Sequence, residues 1–374
     1  MRKIKMVDLQ SQYYKIKNEV DNAMLSVMDS ATFINGPEVQ MFQKELEEYL
    51  EVGHAIPCAS GTDALQVALM ALDLNEGDEV ITADFTFAAT VEVIHLLKLK
   101  PVLVDVDYDT FLIDPKKIEA AITERTRAII PVHLYGQVSP MEEILELAKK
   151  HNILVIEDNA QAIGAEYTFS DGKRKKSGTM GIVGATSFFP SKNLGCYGDG
   201  GSIFTNDDRL AKKIRGIVNH GMYERYYHDE VGVNSRLDSL QAAVLRKKLP
   251  HLDGYNEARR KVADYYDKVL SESKDLLIPK RLPNSSHVFH QYTLRVLNKK
   301  RNGLKDYLES QDIPTMIYYP VPLRKQKAYR QDLEDKDFVN TDRLVDQVIS
   351  LPMHTELDEE QLKYITDHIM EFFK

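Results

Sequence analysis

Cysteine is scarce in this sequence: Cys58 and Cys196 are the only two in 374 residues. They form no CxxC pair, and their separation offers neither a disulfide framework nor a zinc cluster, so both are read as reduced, small apolar side chains. No metal is expected. Long apolar runs are missing as well: none approaches membrane length, and the opening stretch from Met1 to Asp8 has no apolar core of a secretion signal. A cytoplasmic protein with no membrane partner is the resulting expectation. Basic residues are not in excess either. Lysine and arginine number 48 against 57 acidic residues, a formal charge of −9. With no long basic stripe to offset that balance, a nucleic-acid partner is not expected. There is no repeat and no low-complexity linker.

What is present suits a sizeable buried core, with 43% apolar and 28% charged residues. The length exceeds what one simple core holds, so a large and a smaller domain are expected. Residues 60–72 carry Leu65, Leu69 and Leu72 at helical spacing. Glu79–Thr82 reads as a strand and Ala88–Leu99 as a helix. Pro101–Val106, Ala128–Leu134 and Ile153–Glu157 read as buried strands, with a helix at Met141–His151 between the last two. Strands alternating with helices imply an α/β fold with a mainly parallel sheet, whose functional groups gather at the carboxyl ends of strands. That points to Asp84–Thr86, His133–Gln137 and Asp158–Gln161. After about residue 250 the pattern changes to a long helix, Asp253–Ser271, then segments at Gln291–Leu297 and Pro314–Tyr319, with helices near 301–311 and 341–349. The expected division is a large α/β domain over 1–250 and a small α+β domain over 251–374, with the N-terminal segment free to pack against the latter.

Three segments carry chemistry. Ser60-Gly61-Thr62 opens a helix, where free N–H groups and the positive end of the dipole suit a phosphate, although an ordinary cap has the same composition. Asp158 comes just after an apolar strand, where a poorly solvated carboxylate needs a cationic partner; a protonated pyridine nitrogen is one candidate. Gln161 follows three residues later, within reach of the same ligand if the backbone turns helically. Lys192 stands in a short turn after Pro190 and before Gly195, Gly198, Gly200 and Gly201. A lysine shielded from water loses preference for its charge and becomes a competent amine nucleophile. Taken alone it is one lysine among many.

The order and spacing of these segments resemble the fold-type-I pyridoxal-phosphate enzymes, and specifically the DegT/DnrJ/EryC1/StrS sugar aminotransferases. The resemblance runs over nearly the whole chain: FINGPEV (33–39), ASGTDAL (59–65), GDEVIT (77–82), VHLYGQ (132–137), VIEDNAQAIGA (155–165), SFFPSKNLGCYGDGG (187–201), GVNSRLDSLQAAVL (232–245) and YYPVPL (318–323). It implies a Schiff base between Lys192 and pyridoxal 5'-phosphate, with Lys192 also shuttling protons. Asp158 would pair with the ring nitrogen and Gln161 with the phenolic oxygen. Gly61, Thr62 and Ser187 would hold the phosphate, and Phe87 would stack on the ring. Asn234 is implied to reach the phosphate in a neighbouring subunit, making a homodimer with shared sites. Arg236 and Tyr319 are candidates for substrate contact.

The implied reaction moves an amino group from L-glutamate, leaving 2-oxoglutarate, to a keto-sugar nucleotide. Motifs LYGQ, SFFPSKNLGCYGDGG and GVNSRLD look closest to enzymes aminating C3 of UDP-2-acetamido-3-keto-glucuronate for surface polysaccharide and lipopolysaccharide. Tyr318-Tyr319 departs from the His-Tyr common in those relatives. A dTDP-linked 3-keto-6-deoxyhexose or a 4-keto sugar therefore stays open. Dehydratases of the same family typically carry histidine in place of the lysine, or extra cysteines for an iron–sulfur cluster; Lys192 and the cysteine count point away from them. A regulatory protein that binds the cofactor without turnover is the other alternative. Lys173–Lys176 reads as a solvated hairpin around Asp171-Gly172. Tyr223, Tyr226, Tyr227 and His228 form an aromatic cluster in an expected mobile loop.

Overall fold

The computed structural model describes residues 2–330 and 335–374. Two helices lead the chain, α1 (Leu9–Ser30) and α2 (Pro37–Leu50). The large sheet is then laid down by alternation: β1 (His54–Cys58), α3 (Gly61–Ala71), β2 (Glu79–Ala83), α4 (Ala89–Leu96), β3 (Lys100–Val104), α5 (Pro115–Ala121), β4 (Thr126–Ile130), α6 (Met141–His151) and β5 (Leu154–Asp158). A short hairpin, β6 (Glu166–Thr168) and β7 (Arg174–Lys176), precedes β8 (Val183–Ser187) and β9 (Gly201–Thr205). The seven long strands lie in the order β1-β9-β8-β5-β4-β2-β3. Contacts from β8 through β5, β4 and β2 to β3 are parallel, while β9 runs antiparallel to both β8 and β1. The expected α/β architecture with a mainly parallel sheet is what forms.

Local sequence explains why these elements hold. β2 is buried at every position, as a strand covered on both faces must be. α6 buries only Met141, Ile144 and Ala148 along one stripe. Glu142 and Glu143 occupy its first turn, Lys149, Lys150 and His151 its last, and left-handed Asn152 closes it, an arrangement that complements the helix dipole. α3 differs: Ala64, Leu65, Val67, Ala68, Leu69 and Ala71 are all buried, because the helix is packed between the sheet and α7 (Asp208–Ile217).

Past α7 come an exposed ribbon, β10 (Met222–Glu224) and β11 (Tyr227–His228), then α8 (Ser239–Lys248) and the long α9 (Leu252–Leu270). The rest comprises β12 (Leu276–Leu277), β13 (Tyr292–Val296), α10 (Arg301–Ser310), α11 (Val339–Gln347), β14 (Val348–Leu351) and α12 (Glu359–Phe372). A separate apolar cluster joins Val262, Tyr266, Leu294, Leu308, Ile349 and Ile365, and Ile4 packs into it.

Several boundaries differ from the sequence expectation. The strand expected to reach Leu134 is interrupted at Pro131, which has no N–H to donate; a single bridge, Val132 to Asp158, continues the pairing with β5 before Leu134–Gly136 form a 3-10 turn. The strand expected to run to Val106 ends at Val104. The helix expected to reach 349 ends at Gln347, because Val348–Leu351 is fully buried and pairs antiparallel with β13. Pro314–Tyr319 makes a single bridge, Met316 to Ser350, and otherwise runs irregularly. Lys173–Lys176 does lie in a hairpin, with Thr168 opposite Arg174.

Candidate active site

β5 and β8 are neighbours with Asp158 directly opposite Ala185. Their carboxyl ends therefore bring Asp158 beside Ser187 and the turn that follows it. That turn is tightly tied. The Lys192 N–H donates to Phe189 O at 2.8 Å and the Cys196 N–H to Phe188 O at 2.8 Å. Asn193, next to the lysine, donates to Val288 O and Asn256 Oδ1 at 2.9 and 2.7 Å. From beneath, the buried Lys248 ammonium donates to Gly195 O at 2.7 Å.

A cavity of about 460 Å³ opens over these strand ends. Gly61, Thr62 and Ser187 line one side, with Asp158, Gln161 and Lys192 at its base. Phe87 and Tyr319 complete the wall, their rings 6.1 Å apart. Eight of the ten residues named from sequence thus converge. Asn234 and Arg236 do not: Asn234 is exposed and bridges Asn219, while Arg236 lines a separate depression with Asn35, Gln40 and Arg215.

The electrostatics of the base are distinctive. Asp158 is 5% exposed. Its carboxylate accepts from the Thr90 hydroxyl at 2.8 Å and the Ala160 N–H at 3.1 Å; among the described residues no cation is hydrogen-bonded to it. Burial pushes its pKa upward, opposed by those two hydrogen bonds and by the positive charge of Lys192. Burial also brings Lys192 down to about 8, with Asp158 pulling the other way. An amine with that pKa keeps roughly a tenth of its population neutral, hence nucleophilic, at pH 7, far more than an ordinary lysine. Gln161 accepts from the Tyr135 N–H at 2.6 Å and donates to the Tyr319 hydroxyl at 3.3 Å.

The Ser60 hydroxyl caps α3 through the Asp63 N–H at 3.0 Å. The first-turn N–H groups of Gly61 and Thr62 have no partner within the helix. Gly61 is required there by space: a Cβ would lie 2.6 Å from Ser187 Cβ and 3.1 Å from Ser187 Cα. Something must therefore shift in Gly61→Ala, at an overpacking cost of about 1–3 kcal/mol, and displacement of Ser187 should disturb the helix start expected to hold the phosphate. We expect cofactor retention to fall by about tenfold or more, measured by titrating apoprotein with pyridoxal phosphate. Undiminished retention would place the phosphate elsewhere.

Several residues around the site gave no sequence signal. Thr90 reaches Asp158 from α4, and His290 and Gln291 line the cavity from just before β13. His290 is buried, and burial together with the nearby Lys192 and Arg259 charges holds its pKa well below the usual histidine range. Their recruitment depends on chain crossings that no local spacing announces.

The set fits pyridoxal phosphate: an amine for the carbonyl, a buried carboxylate without a bonded cation for the ring nitrogen, a helix start for the phosphate and an aromatic face. The DegT/DnrJ/EryC1/StrS aminotransferase family model matches residues 14–370. The chain belongs to that family. It is 46% identical over 374 residues to the pleiotropic regulatory protein of Geobacillus stearothermophilus, covering 99% of both chains. It is also 46% identical over 362 residues to the UDP-2-acetamido-2-deoxy-3-oxo-D-glucuronate aminotransferase of Pseudomonas aeruginosa, covering 97% of this chain and 98% of that one. Among solved structures, S. venezuelae DesV in complex with a ketimine intermediate superposes with a TM-score of 0.95 at 37% identity, over 100% of this chain and 99% of that one.

Proposed function

We propose that this family member is a transferase moving the amino group of L-glutamate onto a keto-sugar nucleotide. The acceptor is a 3-keto hexose of the UDP-2-acetamido-3-keto-glucuronate type, and the product serves surface polysaccharide synthesis, lipopolysaccharide O-antigen included, in the cytoplasm. The observation that carries the chemistry is the pairing of a pKa-lowered Lys192 with a buried Asp158 at the base of one cavity. The acceptor class is supported by the names of the similar proteins. Among the described residues no helix is long and apolar enough to cross a membrane.

Pyridoxal 5'-phosphate is the cofactor, and when bound it supplies a carbonyl and an electron sink that carry the amino group from donor to acceptor. Lys192 supplies the anchoring amine, then takes and returns the proton in both halves of the reaction. Asp158 would hold a positive charge on the ring nitrogen, and Gln161 would hold the phenolic oxygen. Gly61, Thr62 and Ser187 would hold the phosphate, and Phe87 would cover the ring. Tyr319 is placed to contact the substrate from the cavity wall, whereas Arg236, the other candidate, lies outside its own chain's cavity. The chain is read as a large unit over 1–250 and a small one over 251–374, which the separate apolar cluster supports.

Asn234 is assigned to the neighbouring subunit's phosphate in a homodimer, a reading supported by its exposure and its absence from its own chain's cavity. Asn234→Ala should therefore loosen cofactor only where dimer forms, roughly severalfold for one lost hydrogen bond. Retention measured against protein concentration checks this, and retention equal to wild type would remove the cross-subunit role.

The deciding experiment runs the reaction backward. Holoenzyme with 2-oxoglutarate is offered a panel of amino-sugar nucleotides, and glutamate release identifies the sugar and the carbon. The likeness to a protein named as a regulator gives the second reading, cofactor binding without turnover. Glutamate alone separates the two: it must discharge the visible absorbance of the bound cofactor, and an unchanged spectrum would favour the regulator.

A further inference from the structure

Arg324 is the largest fully buried side chain among the described residues, 1% exposed. Its guanidinium is ion-paired to Asp84 and, at 2.5 Å, to Asp342. Phe338 lies under it with the ring centre 4.4 Å away. The backbone joins in: the Arg324 N–H donates to Asp84 Oδ1 at 2.7 Å, and the Leu323 N–H to Asp84 O at 3.1 Å. Asp84 directly follows β2 in the large sheet, whereas Asp342 belongs to α11. One side chain thus ties the sheet, the 318–324 segment and the C-terminal helices together.

That tie lies beside the cavity at both of its ends. Three residues after Asp84 comes Phe87, and five before Arg324 comes Tyr319; the two rings form one wall. Phe85 adds a second edge contact to Tyr319, with centres 6.3 Å apart. At the far end of the segment, the Tyr135 hydroxyl donates to Tyr318 O. Leu323 is packed with Val91, Leu103 and Phe338. The wall is therefore pinned at Tyr318 and again at Arg324, and the second pin alone reaches across to α11. A fixed wall matters most for a bulky ligand, because misplacement of even an ångström at a positioning surface is expensive.

We propose that Arg324 is a positioning residue for the acceptor: by holding Asp84 and Asp342 at once, it fixes Tyr319 against Phe87 and so sets the grip on the sugar nucleotide. This rests on the sugar-nucleotide reading above. Glutamate, far smaller, depends less on that wall. Lysine keeps the charge but is a point donor that cannot fork between two carboxylates, so Arg324→Lys is the conservative variant. Asp342→Asn is the second, releasing only the α11 side.

Both variants are made as holoenzyme and each half-reaction is followed separately. We expect the glutamate half to stay within about twofold of wild type, while KM for the sugar nucleotide rises about tenfold in Arg324→Lys and less in Asp342→Asn. A merely structural residue would depress both halves together, and that result overturns the proposal, as does an unaltered KM. Amide hydrogen exchange provides a readout independent of the acceptor's identity. Faster exchange confined to 316–329 in Arg324→Lys supports the clamp, and exchange unchanged there, or raised across the whole sheet, overturns it. Failure of wild-type enzyme to aminate any sugar nucleotide would instead sink the functional reading, leaving the exchange result to decide the clamp.

Discussion

Lys192→Ala should abolish transamination, lowering turnover by at least about 10⁴-fold, because in the proposed mechanism one side chain serves as both the anchoring amine and the proton carrier. The loss is expected to be specific. Lys192 makes no side-chain hydrogen bond or ion pair among the described residues, and its turn is held by others: the Phe189 carbonyl, Asn193 and Lys248. Removing the ammonium also removes a charge that burial disfavours. Compared as apoproteins, variant and wild type should therefore melt close together, the relief of a buried charge being offset by the lost attraction to Asp158, and the phosphate cradle should persist. Turnover by steady-state assay and melting by calorimetry check the two halves of the statement. Wild-type turnover would take Lys192 out of the mechanism, and a large drop in melting temperature would recast it as a structural residue.

The legible part of the site is the part encoded locally. Asp158 and Gln161 sit on one strand end, Gly61 and Thr62 on one helix start, and Lys192 on one glycine-dense turn. Each lies within a few residues of the apolar run or breaker that marks it. Parallel order then brings β5 against β8, so two local signals become one site. What stayed hidden depends on distant partners. Thr90 lies 68 residues from the Asp158 carboxylate it supports, and Arg324 lies 240 residues from Asp84. A basic residue in PVPLRK reads as surface until the fold supplies two carboxylates to it. The same limit appears in the elements. A run such as VISL after a helix fits a continued helix or a new strand, and only the opposite strand, β13, decides. Gly61 shows a third case: its turn was legible, but the need for glycine arises from Ser187, more than a hundred residues onward.

Asp158→Asn should also cost turnover heavily, though at least about tenfold less than loss of the lysine, and for a different reason. The exchange keeps volume and leaves the Ala160 N–H an amide oxygen to bond, while the Thr90 hydroxyl can turn to accept instead. Only the charge is lost. Two unit charges at about 4 Å gain about 4 kcal/mol at an effective dielectric near 20, and that equals about 10³ in rate when it is realised in the transition state. A turnover loss of about that size is expected, with the protein folded. A second, independent sign follows from the pKa of Lys192. Asp158 raises it while burial lowers it, for a result of about 8. The amine reacts only when neutral, so cofactor capture by apoprotein should fall as pH drops below about 8 in the wild type. With the carboxylate gone the opposing pull is gone, so the lysine's pKa must fall further, and the capture profile should move to lower pH. Capture rate against pH, followed by the absorbance of bound cofactor, measures the shift. A profile displaced upward, or not displaced, would show that the two groups do not sense each other, and the charge argument for Asp158 would fail with it.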